Sequence, residues 1–332
     1  MKVAAEGKPG GFRLPAGIKP VMSVVKSREM NILAVLVVMG VVITLFSPYF
    51  LTTDNLMGVS RAFSVTAIMA IGMTMVIITG GIDLSVGSVM GLSSLITALS
   101  FAHGLPTAIA IAAGLVTGLL AGLANGLLIT KIHLPPFIAT LGTLSIGRGL
   151  IYIITEGFPV TPDVPDGYIF LGQGYIGFVP FPVVAMLLLM VVFSVVMSKT
   201  RFGRHVYAIG GNENAARLSG VKTDQTKMIV YVLSGVISAA AGIILFARLT
   251  SAEPASGFGA ELDVIAAAAI GGASLSGGFG SIVGAIIGAG LIGVIANGIV
   301  LLNINTYAQQ AITGLVILIA VSIDMWRSKR RG

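Results

Sequence analysis

The sequence predicts an all-α protein: a polytopic bundle of about ten transmembrane helices with both termini cytoplasmic. Three observations predict it. Only 10% of the 332 residues are charged and 55% are hydrophobic, whereas a soluble domain carries about 25% charged residues. The apolar residues fall into a series of segments, most near the ~20 residues that a helix needs to cross a bilayer. The basic residues are segregated as the positive-inside rule requires.

Residues 1–31 form a basic tail holding Lys2, Lys8, Arg13, Lys19, Lys26 and Arg28. The apolar run that follows, from Ile32 toward Phe50, has no small-residue cleavage pattern, so it reads as a retained first helix rather than a signal peptide. Leu51–Arg61 reads as a polar connector. Further apolar segments lie at 63–79, 84–102, 106–130, 136–155, 180–198, 228–248, 262–278, 281–302 and 307–326. Segments 63–79 and 262–278 are short for a span, and each is a candidate re-entrant half-helix. A basic tail at 327–332 closes the chain. With ten spans and the N-terminus inside, 17 of the 20 Lys and Arg fall on the cytoplasmic side. The outside loop 156–178 holds Glu156, Asp163 and Asp166 and no Lys or Arg. The net charge of +7 is therefore read as membrane orientation, and no nucleic-acid partner is expected. The domain reading is a tail 1–31, a transmembrane domain 32–326 with an internal loop 199–227, and a tail 327–332.

The stretch Gly80–Gly91 stands out. From Ala62 to Thr130 Asp83 is the only ionisable Asp, Glu, Lys or Arg. A lone intramembrane carboxylate is costly, so it should cap a helix, be paired or face a wet cavity. The glycines before it weaken the helix, which predicts two helices joined by a tight break near 80–88. Asp83 then has two compatible roles: capping the next helix near Ser85 and Val86, or touching a polar solute. A second such break is expected near 271–278, where Gly271-Gly272-Ala273-Ser274-Leu275-Ser276 echoes Gly80-Gly81-Ile82-Asp83-Leu84-Ser85. Leu123-Ala124-Asn125-Gly126 and Ile295-Ala296-Asn297-Gly298 form another echo, hinting at two related halves around a pathway. Gly114, Gly118, Gly122 and Gly126, and again Gly280, Gly284 and Gly288, recur every four residues and predict smooth strips for close helix packing.

The loop 199–227 carries turn and cap chemistry. Gly210-Gly211 predicts a turn, Asn212 an N-cap, Glu213 a first-turn acid, and Gly220 a C-cap. A short helix over 213–219 should lie on the cytoplasmic face with Ala215 and Leu218 on one side. Ala216 is expected to dock against a partner. The plainer alternative is a solvated loop carrying positive-inside charge.

Three stretches carry a family resemblance: Gly80–Ser88, Tyr207–Val221 and Gly271–Gly278. In them the chain resembles the permease subunits of bacterial ABC importers for monosaccharides, the ribose/xylose/galactose-type branch. The likeness runs from about Leu33 to Trp326. It implies a multi-pass protein of the bacterial inner membrane, in contact with membrane lipid, that works with ABC-type ATPase subunits, a periplasmic sugar-binding protein and a second permease protomer. ATP would be used by the partner ATPase, with no cofactor or metal bound by this chain. Importer permeases carry a Glu-Ala-Ala-x-x-x-Gly coupling motif. Asn214-Ala215-Ala216-x-x-x-Gly220 matches it except for the acid, with Glu213 one position early. The resemblance thus implies ATPase coupling at Gly210, Gly211, Asn212, Glu213, Ala215, Ala216, Arg217 and Gly220. The candidate substrate pathway is Asp83, Ser85, Ser88, Asn125, Ser274, Ser276 and Asn297.

The sequence contains no Gly-x-x-x-x-Gly-Lys-Ser/Thr phosphate loop, so any ATP energy must come from another chain. No nucleophile–base set suggests an enzyme. Cysteine is absent and His103, His133 and His205 are scattered, which removes thiolate and histidine-cluster metal sites. The rival class is a stand-alone secondary transporter or channel for a small polar solute. For proton coupling it could draw only on Asp83, Arg148 and the Glu261/Asp263 pair.

Overall fold

The computed structural model describes residues 28–305 and, beyond them, 308, 311–315, 318 and 322. The expected last helix, 307–326, lies largely outside these residues, as do most of the N-terminal tail and all of the C-terminal one. The described chain is a helical bundle with a single two-stranded hairpin. Its helices are α1 (Arg28–Phe46), α2 (Thr53–Ile78), α3 (Val86–Ala102), α4 (Thr107–Thr130), α5 (Pro136–Thr155), α6 (Asp166–Gln173), α7 (Phe181–Lys199), α8 (Arg201–Gly211), α9 (Glu213–Leu218), α10 (Thr223–Leu249), α11 (Ala260–Ile270) and α12 (Ile282–Leu301). The strands β1 (Tyr175–Ile176) and β2 (Val179–Pro180) pair antiparallel between α6 and α7. Seven of the helices, α1, α2, α4, α5, α7, α10 and α12, are long and apolar enough to cross a membrane.

α2 is the axis of the bundle. From Ser64 to Ile78 nearly every residue is buried, surrounded by α7, α10, α11 and α12. This run was expected to start at 63 and to be a candidate half-helix. Instead α2 has 26 residues, about 39 Å. Thr53–Arg61, expected as a connector, forms its first turns, with Asp54 placed favourably at the N-terminus. Segment 262–278 gives the opposite result. α11 has 11 residues, about 16 Å, too short to span alone. A turn follows it, with Gly272, Gly277 and Gly278 all at positive φ.

The glycine strips are packing surfaces. A Cβ on Gly118 would strike the Gly235 carbonyl of α10, and one on Gly122 the Tyr231 carbonyl. α4 and α10 accordingly make the most extensive helix contact in the fold. Gly284 and Gly288 seat α12 against the carbonyls of Gly271 and Ala267 in the same way. Gly280 departs from the expected strip. It precedes α12 and lies against the Ile78 side chain. The loop 156–178 is pinned by Tyr168, whose buried ring packs edge-on to Phe101 and whose hydroxyl donates to the Ile243 carbonyl at 2.8 Å.

Candidate translocation and coupling sites

The break after α2 forms where it was expected. Gly80 takes φ +80°, a conformation that favours glycine. Asp83 then turns back on the next helix start. Its Oδ1 accepts from the Ser85 backbone N–H at 3.0 Å and the Ser85 hydroxyl at 2.6 Å, and its Oδ2 accepts from the Ser234 hydroxyl of α10 at 2.8 Å. Asp83 thus satisfies the Ser85 N–H just before α3, whereas the N-cap position expected of it is held by Ser85. Asn125 of α4 extends the junction, donating to Ser85 Oγ at 2.9 Å and accepting from Thr143 of α5 at 2.6 Å. Ser88 donates to the Ser85 carbonyl at 2.9 Å. One polar junction thus ties the break to α4, α5 and α10. Its centre is enclosed: Asp83, Ser85, Ser88 and Asn125 are each at most 1% exposed. Ser274 is buried in the second turn, and Ser276 is exposed there. Asn297 stands apart on α12, sharing two reciprocal amide hydrogen bonds with Asn55 of α2, at 2.8 and 3.1 Å. The two asparagine echoes thus occupy unlike environments.

Among the described residues the rival's ionisable groups do not form a chain through Asp83, whose hydrogen bonds there are to the serines named above. Arg148 of α5 donates to the Ser256 carbonyl at 2.6 Å, while Glu261 Oε2 is buried without a hydrogen-bond partner among the described residues. Asp263 lies elsewhere, on a cavity of about 480 Å³ between α2, α12, and the facing parts of α10 and α11. Asn297 lines the same cavity.

The internal loop is two helices rather than a turn and one helix. Thr200 caps α8 by accepting from the Gly203 N–H, and Asn212 caps α9 by accepting from the Ala215 N–H at 2.9 Å. Gly210-Gly211, expected as a turn, is the last turn of α8. Glycine is needed at 210 for packing: a Cβ there would overlap the Ile78 carbonyl and the Gly278 N–H. The Gly278 N–H itself donates to Ile78 O at 2.9 Å, and Tyr207 of α8 donates to Gly280 O at 2.9 Å. α8 is therefore seated on both broken-helix turns at once. Gly220 (φ +85°) ends α9 as expected. Arg217 bridges Glu213 and Asp224, and Glu213 also pairs with Lys227. Ala215 and Leu218 face outward together, Leu218 at 90% exposure. Ala216 is only 6% exposed. It faces the chain's own fold, so the expectation of an outward dock at Ala216 is corrected. One face of so short a helix is too few residues to orient from sequence.

The family model described as "Branched-chain amino acid transport system / permease component" matches residues 55–321, most of the chain. The chain belongs to this permease family. It is a transport component, and with its seven long apolar helices a multi-pass membrane protein. A ribose import permease protein of Bacillus subtilis is 44% identical over 88% of this chain and 91% of its own length. One from Escherichia coli K12 is 42% identical over 89% and 93%. An L-arabinose transport system permease of Escherichia coli K12 is 39% identical over 91% and 92%. These relatives bear out the resemblance to monosaccharide permeases read from the motifs. No solved structure matches the chain.

Proposed function

We propose that this chain is the membrane-spanning permease subunit of an ATP-driven ABC importer of the bacterial inner membrane, forming the pathway for a monosaccharide or related polyol. The carrying observation is the α8–α9 pair. It presents Ala215 and Leu218 outward as a small apolar docking face while α8 rests on both broken-helix turns. A partner that moves this pair moves the ends of α2, α3, α11 and α12 with it. That suits a chain driven by a separate ATPase subunit, with ATP bound only there and no cofactor on the permease. The ribose and L-arabinose relatives support a pentose-like substrate, delivered by a periplasmic binding protein.

In this reading ten crossings place both termini in the cytoplasm: α1, α2, α3, α4, α5, α7, α10, α11 with the segment before it, α12, and the segment 307–326. Residues 1–31 and 327–332 are the cytoplasmic tails of a single transmembrane domain, 32–326. Two copies pair to enclose the pathway. Asn297 and Ser276 belong to its surface, while Asp83, Ser85, Ser88, Asn125 and Ser274 form the wall behind. Gly210, Gly211, Asn212, Glu213, Ala215, Ala216, Arg217 and Gly220 build the coupling element. The test is affinity purification from native membranes, followed by reconstitution. Co-purification of an ATPase, with monosaccharide uptake that needs ATP and a binding protein, is expected. A chain that purifies alone and moves solute without ATP would overturn the proposal.

A further inference from the structure

The cavity between α2 and α12 lies at the end of the bundle remote from α8. The α2 lining residue nearest α8, Thr66, is 12 residues before Ile78, which touches Gly210; that is about 18 Å along the helix. Under the positive-inside orientation this is the outer half. At about 480 Å³ the cavity falls within the ~300–1,000 Å³ range of small-molecule sites. Its chemistry is mixed. Two carboxylates, Asp54 and Asp263, accept hydrogen bonds. The Arg248 guanidinium, in the last turn of α10, only donates, and it makes no ion pair among the described residues. The Asn55–Asn297 pair is held by its two mutual hydrogen bonds and by a third from Asn55 to the Phe50 carbonyl, which leaves Asn297 one N–H to donate and each amide oxygen able to accept once more. Phe63 adds an apolar wall.

Groups that accept, donate and do both, set beside an apolar wall, match a ring of hydroxyls that must each donate and accept. Two carboxylates against one guanidinium leave only a small formal charge. We propose that this cavity is a weak binding site for a polyhydroxylated, uncharged solute, a resting place for an aldopentose-sized sugar on the outer side of the pathway. The site rests on the monosaccharide-importer reading and adds where the sugar first sits within the permease.

The chain has no cysteine, so a single introduced thiol reports on one position. Ala62→Cys and Ala296→Cys place thiols on opposite walls, on α2 and α12. Ile176→Cys on the exposed hairpin serves as the reference. Each is made in the full importer complex, and its reaction with a water-soluble thiol reagent is timed with D-ribose, L-arabinose, D-xylose or L-leucine at tens of millimolar. One of the sugars should slow labelling at 62 and 296 by about threefold, the effect of two-thirds occupancy, and leave 176 unchanged. Failure of either wall thiol to react, no slowing by any sugar, or slowing by L-leucine would each overturn the site. Uptake by the unmodified importer separates the two ideas. Absence of any monosaccharide uptake defeats the importer reading, whereas uptake without protection defeats only the cavity.

Discussion

Replacing Asp83 with alanine tests whether this carboxylate holds the fold or handles the solute. The side chain accepts three hydrogen bonds, from Ser85 N–H, Ser85 Oγ and Ser234 Oγ, at a position 1% exposed. Alanine leaves three buried donors without their acceptor. The two hydroxyls can rotate toward other oxygens, but the N–H cannot. At ~1–3 kcal/mol per orphaned buried donor, with partial recovery by the hydroxyls, the loss is about 2–5 kcal/mol. That corresponds to a fall of roughly 5–15 °C in the unfolding midpoint of a few-hundred-residue chain. Asp83→Asn keeps one oxygen for Ser85, and its amide can donate to Ser234 Oγ. It should cost about 1 kcal/mol or less and keep most uptake. The assay is thermal unfolding of the detergent-purified complex beside uptake in proteoliposomes. An Asp83→Ala protein that melts like the wild type yet no longer transports would refute the structural role and assign Asp83 to the solute. Loss of ion-coupled uptake in Asp83→Asn would do the same in favour of a secondary transporter.

Three further outcomes follow from named contacts. Gly210→Ala forces a methyl into the Ile78 carbonyl and should reduce uptake more than about tenfold, equivalent to ~1.4 kcal/mol or more. Gly211→Ala meets open space and should transport normally; equal uptake by the two variants would count against the seat of α8. Leu218→Glu changes a residue that is 90% exposed, so the melting temperature should hold within the equivalent of ~0.5 kcal/mol while ATPase co-purification falls. Retained ATPase association would remove Leu218 from the docking face. Gly118→Leu pushes α4 off the Gly235 backbone and should destabilise the chain by about 3 kcal/mol or more, read as loss of monodisperse protein in gel filtration; a monodisperse, normally melting variant would contradict the strip.

Long apolar segments were the most legible part of the sequence because bilayer thickness imposes their length directly. Pro136–Thr155 is predicted to the residue. The start of α2 was not legible, since Asn55 and Arg61 look like connector residues until α12 and the end of α6 supply partners at Asn297 and Gln173. The bond of Asp83 to the Ser85 N–H could be read locally, because that partner is two residues away. Its bond to Ser234 could not, being 151 residues distant. The same holds for the cavity: Asp54, Arg248 and Asp263 come from three separate helices, and nothing in their spacing brings them together. Gly210 was misread for a related reason. Two adjacent glycines signal a turn locally, but here the demand for glycine comes from another segment's backbone.

The two glycine-rich echoes gain a mechanical sense from their shared neighbour. They are not electrostatically alike, since Asp83 of one corresponds to Ser274 of the other. They are alike in position, however. The Gly278 N–H bonds to Ile78 O, and both turns press on Gly210 of α8. From this junction α2 and α12 run side by side to the opposite end, where Asn55 and Asn297 clasp each other across the cavity wall. Each helix therefore has one end against α8 and the other on the cavity. A helix resists bending over this length, so a tilt imposed at the junction is delivered largely to the far end. If α8 moved α2 and α12 equally, the clasp would stay closed. Only unequal movement would strain the paired amides and change the cavity. A cross-link joining 55 to 297 in Asn55→Cys/Asn297→Cys should therefore abolish uptake while leaving ATP hydrolysis measurable. Full uptake by the cross-linked protein would show that the cavity need not open between these helices.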